Sequence, residues 1–109
     1  MEDKSRTRLV GMLGFAMRAG RVIIGTDLVC ASMSKRGRAK PMLVLISHGA
    51  SEATKKKVIT KSDFYSIEAL EIDVGGDKLG SLLGKTYAPV VLGITDEKFA
   101  EEIKRALLS

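Results

Sequence analysis

Apolar and polar positions along this chain switch between helical spacing and short continuous apolar runs. Leu9, Val10, Met12, Leu13, Ala16 and Met17 recur at helical spacing and predict a first helix with one apolar face. Gly11 and Gly14 lower its propensity, by roughly 1 kcal/mol each against Ala, and are expected to permit close packing on a sheet. The helix should stop near Arg18-Ala19-Gly20, with Gly20 as a left-handed cap. Val22-Ile23-Ile24 reads as a short buried strand. Gly25-Thr26-Asp27 then forms a turn in which Thr26 or Asp27 can cap a second helix, running through Leu28, Val29, Ala31 and Met33 to a stop at Gly37.

Met42 to Ile46 is a continuous apolar run of the kind expected of a central strand. Ser47-His48-Gly49-Ala50 follows as a loop, and Ser51 caps a third helix with Glu52 in its first turn and Lys55, Lys56 and Lys57 on its body. Ile67 to Ile72 alternates partially and predicts another strand. Leu79, Leu82 and Leu83 mark a short fourth helix ending at Gly84, Val90 to Ile94 a further buried strand. Thr95-Asp96-Glu97 opens a last helix with Phe99, Ile103, Ala106 and Leu107 on one face. The order α-β-α-β-α-β-α-β-α predicts an α/β fold, a three-layer α/β/α sandwich around a four-stranded mixed sheet. No repeat or linker interrupts it, so residues 1–109 are read as one domain.

Composition narrows the function classes. With 45% hydrophobic residues but few aromatics and no Trp, aliphatic side chains must fill the core. No apolar run approaches the ~20 residues that cross a bilayer, and the polar N-terminus Met1 to Arg6 does not resemble a signal peptide. The single cysteine, Cys30, has no internal disulfide partner, which suits the cytoplasm. Net charge is +5, unevenly placed: residues 1–61 carry 13 Lys/Arg against 4 Asp/Glu, and residues 62–109 carry 5 against 9. The basic half allows a nucleic-acid partner without demanding one, with uneven solubility charge as the bland explanation.

Candidate chemistry is sparse. Gly80-Ser81-Leu82-Leu83-Gly84-Lys85-Thr86 resembles a phosphate-binding loop, yet only three residues separate the glycines, and the helix precedes the loop where it should follow. Gly84 is better read as a helix C-cap and Lys85-Thr86-Tyr87-Ala88 as an exposed loop. With one histidine and one cysteine, no His/Cys metal cluster can form, and no cofactor is expected. Cys30 falls in a Val- and Ala-rich helix and reads as a buried structural thiol. His48, at a strand end, can bind a phosphate or a base, though an ordinary loop histidine is the plainer reading. Glu101-Glu102 and Glu68…Glu71 sit on solvated faces with no companion nucleophile or oxyanion donor, so an enzyme is not expected. The basic positions Arg18, Arg21, Lys35, Arg36, Arg38 and Lys40 flank the first strand and second helix, and can supply phosphate contacts.

Arg18-Ala19-Gly20-Arg21, Val22-Ile23-Ile24-Gly25, the helix ending in Lys35-Arg36-Gly37-Arg38-Ala39-Lys40, and the strand Met42 to Ile46 follow one another in an order that resembles the kink-turn-binding large-subunit ribosomal proteins. Asp77 to Lys85 is similar to that family's second signature, and Ala50 to Lys57 resembles its small bacterial YlxQ-type members. The resemblance runs from about Leu9 to Leu107. It implies an α/β/α sandwich that binds structured RNA, with the start of the second helix, Gly25-Thr26-Asp27-Leu28, reading sheared G·A pairs and the loop Lys85-Thr86-Tyr87-Ala88 covering flipped-out bases. Strong kink-turn binders carry Asn-Glu or Lys-Gln where this chain has Asp27-Leu28, and often a lysine where it has Ala31. Asp27 can accept from guanine N–H groups, whereas Leu28 can neither donate nor accept.

The expected function is therefore an RNA-binding, ribosomal-protein-like module. Arg18, Arg21, Lys35 and Arg38 would dock phosphates, while Gly25–Leu28 and Lys85–Ala88 recognise the RNA. Expected partners are a kink-turn or ribosomal RNA, with the ribosome or translation factors as further candidates, and no membrane or small-molecule substrate. The alternative is a protein-interaction module on the same fold that has lost RNA recognition, with Leu28 exposed at its centre.

Overall fold

Every residue of strand β2 (Leu43–Ser47) is buried, and its side chains divide by parity. Leu43 and Leu45 enter one apolar cluster, Val44 and Ile46 the other. This is the strand period of two with both faces covered. Residues 3–108 are described by the computed structural model, except for the side chains of Asp3, Ser5 and Arg38; Met1 and Glu2 of the polar N-terminus and Ser109 lie outside the described residues.

The remaining elements are α1 (Asp3–Arg18), β1 (Val22–Ile24), α2 (Thr26–Ser32), a 3₁₀ turn (Gly37–Ala39), α3 (Glu52–Phe64), β3 (Glu68–Ile72), α4 (Gly76–Leu82), β4 (Val91–Ile94) and α5 (Glu97–Leu108). The sheet order is β1-β4-β2-β3, with β4 antiparallel to both neighbours and β3 parallel to β2. Leu9 and Leu13 of α1, Leu79 of α4 and Ala100 and Ile103 of α5 cover one face; Val29 and Cys30 of α2 and Val58 of α3 cover the other. The fold is thus the expected α/β/α sandwich around a mixed sheet.

Register fixes the two ends of that sheet. Val22, Leu43, Glu68 and Ile94 lie together at one end. At the other lie the carboxyl ends of β1, β2 and β3 and the start of β4, and with them the β1–α2, β2–α3 and β3–α4 connections. Gly93 makes room for Pro41 against the sheet: a Cβ there would stand 3.3 Å from Pro41 Cβ.

Four local expectations are corrected. Strands β2, β3 and β4 each begin one residue later than the apolar runs suggest, and β2 extends to Ser47, whose buried Oγ donates to the Val74 carbonyl at 2.7 Å. Helix α2 ends at Ser32, well before Gly37. The Ser32 and Ser34 hydroxyls donate back to the Val29 and Ala31 carbonyls, an alternative to continued helix, and buried Met33 anchors the exit. Neither Thr26 nor Asp27 caps α2; Gly25 occupies that position with no side-chain cap. Gly11 and Gly14 do not serve close packing, because a Cβ at either meets nothing within 4 Å. Gly20 (φ 71°), Gly84 (φ 69°) and the Ser51 cap, whose Oγ accepts from the Thr54 N–H at 3.1 Å, match the expected helix ends.

Candidate RNA interface

Helix α2 starts on a residue that only glycine tolerates well. Gly25 has φ 105° and ψ 146°, and its N–H donates to the Val91 carbonyl at 2.9 Å, tying the end of β1 to the start of β4. The helix conformation therefore begins at Thr26. The N–H groups of Thr26, Asp27 and Leu28 precede the first intrahelical bond, which Val29 N–H makes to the Gly25 carbonyl. Among the described residues they have no acceptor. Asp27 is a fully exposed first-turn carboxylate, with Lys57 Nζ of α3 4.0 Å from its Oδ1.

The Lys85–Ala88 loop reaches the same end of the sheet. It leads through buried Pro89 into Val90 and Val91, where Val90 accepts from the Ser47 N–H at 2.8 Å. Helix α4 holds it from behind. A Cβ on Gly80 would run into the Tyr87 carbonyl, and one on Gly76 would stand 3.1 Å from the Pro89 carbonyl oxygen. These two glycines thus seat a loop; they do not cradle a phosphate. Lys85, Thr86 and Ala88 are exposed, and Tyr87 is 54% exposed.

The expected basic set does not gather around Gly25. Lys35 lies beyond the far end of α2 and shares a groove of about 340 Å³ with Leu28 and Ser32 on one side of that helix. Leu28 is 65% exposed. Arg21 lines a neighbouring groove that shares Thr95 with that of Lys35, at the end of the sheet away from Gly25, with Met42, Asp96 and Glu97. The Arg18 guanidinium lies over the Phe15 ring, 4.9 Å from its centroid, at the end of α1. Arg38 falls in the 3₁₀ turn, and its side chain lies outside the described ones. The pattern of charge along the chain could not separate these positions, because their separation depends on strand direction.

Cys30 is buried in α2 as expected. His48 is half exposed, its Nδ1 3.6 Å from Asp73 Oδ1, and Arg6 donates to Asp73 Oδ2 at 2.7 Å. That hydrogen bond holds the Asp73 carboxyl below its ordinary value of 3.8. Glu68 and Glu71 pair with Lys104 and Lys55, at 3.2 and 3.3 Å. Among the described residues, no group of three His, Cys, Asp or Glu side chains is placed to share a metal ion, and no helix is long and apolar enough to cross a membrane. Two contributors were missed at the level of sequence: Lys57, read only as part of a lysine run, and Gly80, read only as a false phosphate-loop glycine.

Known proteins resemble this chain over nearly its whole length. Residues 7–104 match the ribosomal protein L7Ae/L30e/S12e/Gadd45 family. The chain is 33% identical over 107 residues to the RNA-binding protein YlxQ of Enterococcus faecium, covering 98% of both chains. It is 38% identical over 92 residues to the RNA-binding protein YlxQ of Bacillus subtilis, covering 84% of this chain and 87% of that one. Among solved structures, a protein of unknown function from Bacillus halodurans superposes with a TM-score of 0.83 at 26% identity, over 94% of this chain and 98% of that one.

Proposed function

We propose, for a chain that belongs to the ribosomal protein L7Ae/L30e/S12e/Gadd45 family, that it is an RNA-binding module of one domain, acting in the cytoplasm and without catalytic activity. It recognises structured RNA of the kink-turn type, a ribosomal RNA included, through the start of α2 and the Lys85–Ala88 loop. The observation that supports this reading is the position of those two segments at the same end of the sheet, where Gly25 N–H donates to the Val91 carbonyl just past the loop. Uncapped N–H groups offer donors and positive potential to phosphates or base edges. Asp27 accepts from guanine N–H groups, and Tyr87 presents an exposed ring for an unstacked base. Lys35, on the Leu28 side of α2, takes a phosphate of a stem lying along the helix. Arg18 and Arg21 stand apart and contribute general attraction only.

The test is a titration of the protein against a kink-turn RNA and a matched straight duplex at two salt concentrations. Preferential kink-turn binding that is lost in Gly25→Glu is the expected result. Weak binding to both RNAs with equal salt sensitivity would reduce the interaction to a basic surface.

One observation favours a second reading, a protein-interaction module that has lost kink-turn specificity, serving the ribosome or a translation factor. Leu28 is exposed in a groove with Val22, Ile23 and Ala39, an apolar setting for a partner's side chain. Under that reading Leu28→Glu abolishes the protein contact and leaves RNA binding unchanged.

A further inference from the structure

Helix α3 turns Val58 and Ser62 into the core, and its opposite side carries Lys56, Lys57, Thr60, Lys61 and Phe64. These residues fall on one face at 3.6 residues per turn. With Tyr65 they line an open groove of about 650 Å³. Lysines on a solvated helix face are ordinary. A phenylalanine 79% exposed at their foot is not, and its ring stands edge-on to Tyr65 at 4.9 Å between centroids. Among the described residues no carboxylate lies within ion-pair distance of Lys56 or Lys61, and Lys57 has only Asp27 at 4.0 Å. The face is therefore a net positive strip that ends in a bare aromatic ring, and its upper end adjoins the start of α2.

We infer that this α3 face is a second RNA contact, which takes a single-stranded segment leaving the structured RNA. Phe64 stacks one unpaired base, and Lys56, Lys57 and Lys61 hold the phosphates that lead to it. Charge decides the class of occupant: three lysines, of which only Lys57 has a carboxylate within 4.0 Å, fit a polyanion, and an aromatic beside them fits the π-face of any base. Continuity supports it, because Lys57 links this strip to Asp27. The inference rests on the reading of the protein as an RNA binder, but it does not depend on kink-turn specificity.

Three ligands separate the two claims: a bare kink-turn hairpin, the same hairpin with a single-stranded adenylate extension, and a short oligoadenylate alone. The extension should tighten binding by the native protein at least about 5-fold, the lower range of one base–aromatic stack. Phe64→Ala should erase that gain and leave the bare hairpin unaffected. Lys61→Ala should lower the salt slope for the oligoadenylate by about 0.7, one phosphate contact on a single strand. The oligoadenylate should bind Gly25→Glu as it binds the native protein. If the bare hairpin is not preferred over duplex while Phe64-dependent oligoadenylate binding persists, the kink-turn reading fails and the α3 contact stands. If the extension adds nothing, or its gain survives Phe64→Ala, the α3 contact is overturned and the face is left to a protein partner or to solvent.

Discussion

The end of the sheet where β1 finishes carries Gly25, Asp27 and the Lys85–Ala88 loop, whereas the end where β1 begins carries Arg21, Met42, Asp96 and Glu97. The first joins charged side chains such as Asp27, Lys57 and Lys85 to a specific shape: an uncapped helix start, a loop seated on glycines and an exposed ring. The second has Arg21 with two acids beside it and no matching geometry. Richness in lysine and arginine marks residues 1–61, but the geometry proposed for recognition pairs Gly25 there with the loop at 85–88 in the acid-rich half. Charge supplies attraction, and shape supplies choice.

The largest effect that would break this contrast is at Gly25. Glu there forces a side chain into φ 105° and sets a carboxylate against RNA phosphate, so kink-turn affinity should fall by more than about 100-fold. Ala imposes the backbone strain without the charge, and a smaller loss in Gly25→Ala separates the two causes. In the opposite direction, Asp27→Asn with Leu28→Glu restores polar groups at positions where strong kink-turn binders have them. It should tighten binding roughly 10-fold in the same titration.

Gly80→Ala pushes against the Tyr87 carbonyl and should cost about 1–3 kcal/mol in urea unfolding, with RNA affinity falling as the loop shifts. Gly14→Ala, with nothing near its Cβ, should instead stabilise by about 0.5–1 kcal/mol and leave RNA binding alone. Among the basic residues, Lys35→Ala should lower the salt slope for a kink-turn by about one phosphate contact. Arg21→Ala, in a groove lined by Asp96 and Glu97, should leave that slope unchanged.

The smallest effect concerns pH. The Asp73 carboxyl, held down by the Arg6 hydrogen bond, contributes stability above its unfolded value near 3.8. That contribution is lost as pH falls through the lower folded value. Asp73→Asn should flatten the acid limb of the stability curve, slightly, because the pair is exposed.

Much of the architecture was legible in the chain because it is written locally. The parity of Leu43 to Ile46, the glycines at 20 and 84 and the Ser51 cap each depend on neighbours a few residues away. The α2 stop was misread because two serine hydroxyls compete for its carbonyls, a contest that a search for the next glycine overlooks. The site was legible in part. Its two proposed recognition segments came from the family resemblance, and both lie at one end of the sheet. The placing of Arg21 beside Asp96 and Glu97 depends on β4 pairing with β1, a pairing of residues some 70 positions apart such as Val22 with Ile94, which periodicity does not carry. Gly14 and Gly80 look alike in sequence, yet one faces open space and the other a carbonyl.

The most direct test is an amide chemical-shift map of the protein on addition of a kink-turn RNA. Shifts concentrated at Gly25–Leu28 and Lys85–Val91, with Arg18 and Arg21 quiet, are the predicted result. Shifts concentrated at Arg18 and Arg21 that leave Gly25–Leu28 unmoved would contradict it, and would put the RNA on the other end of the sheet.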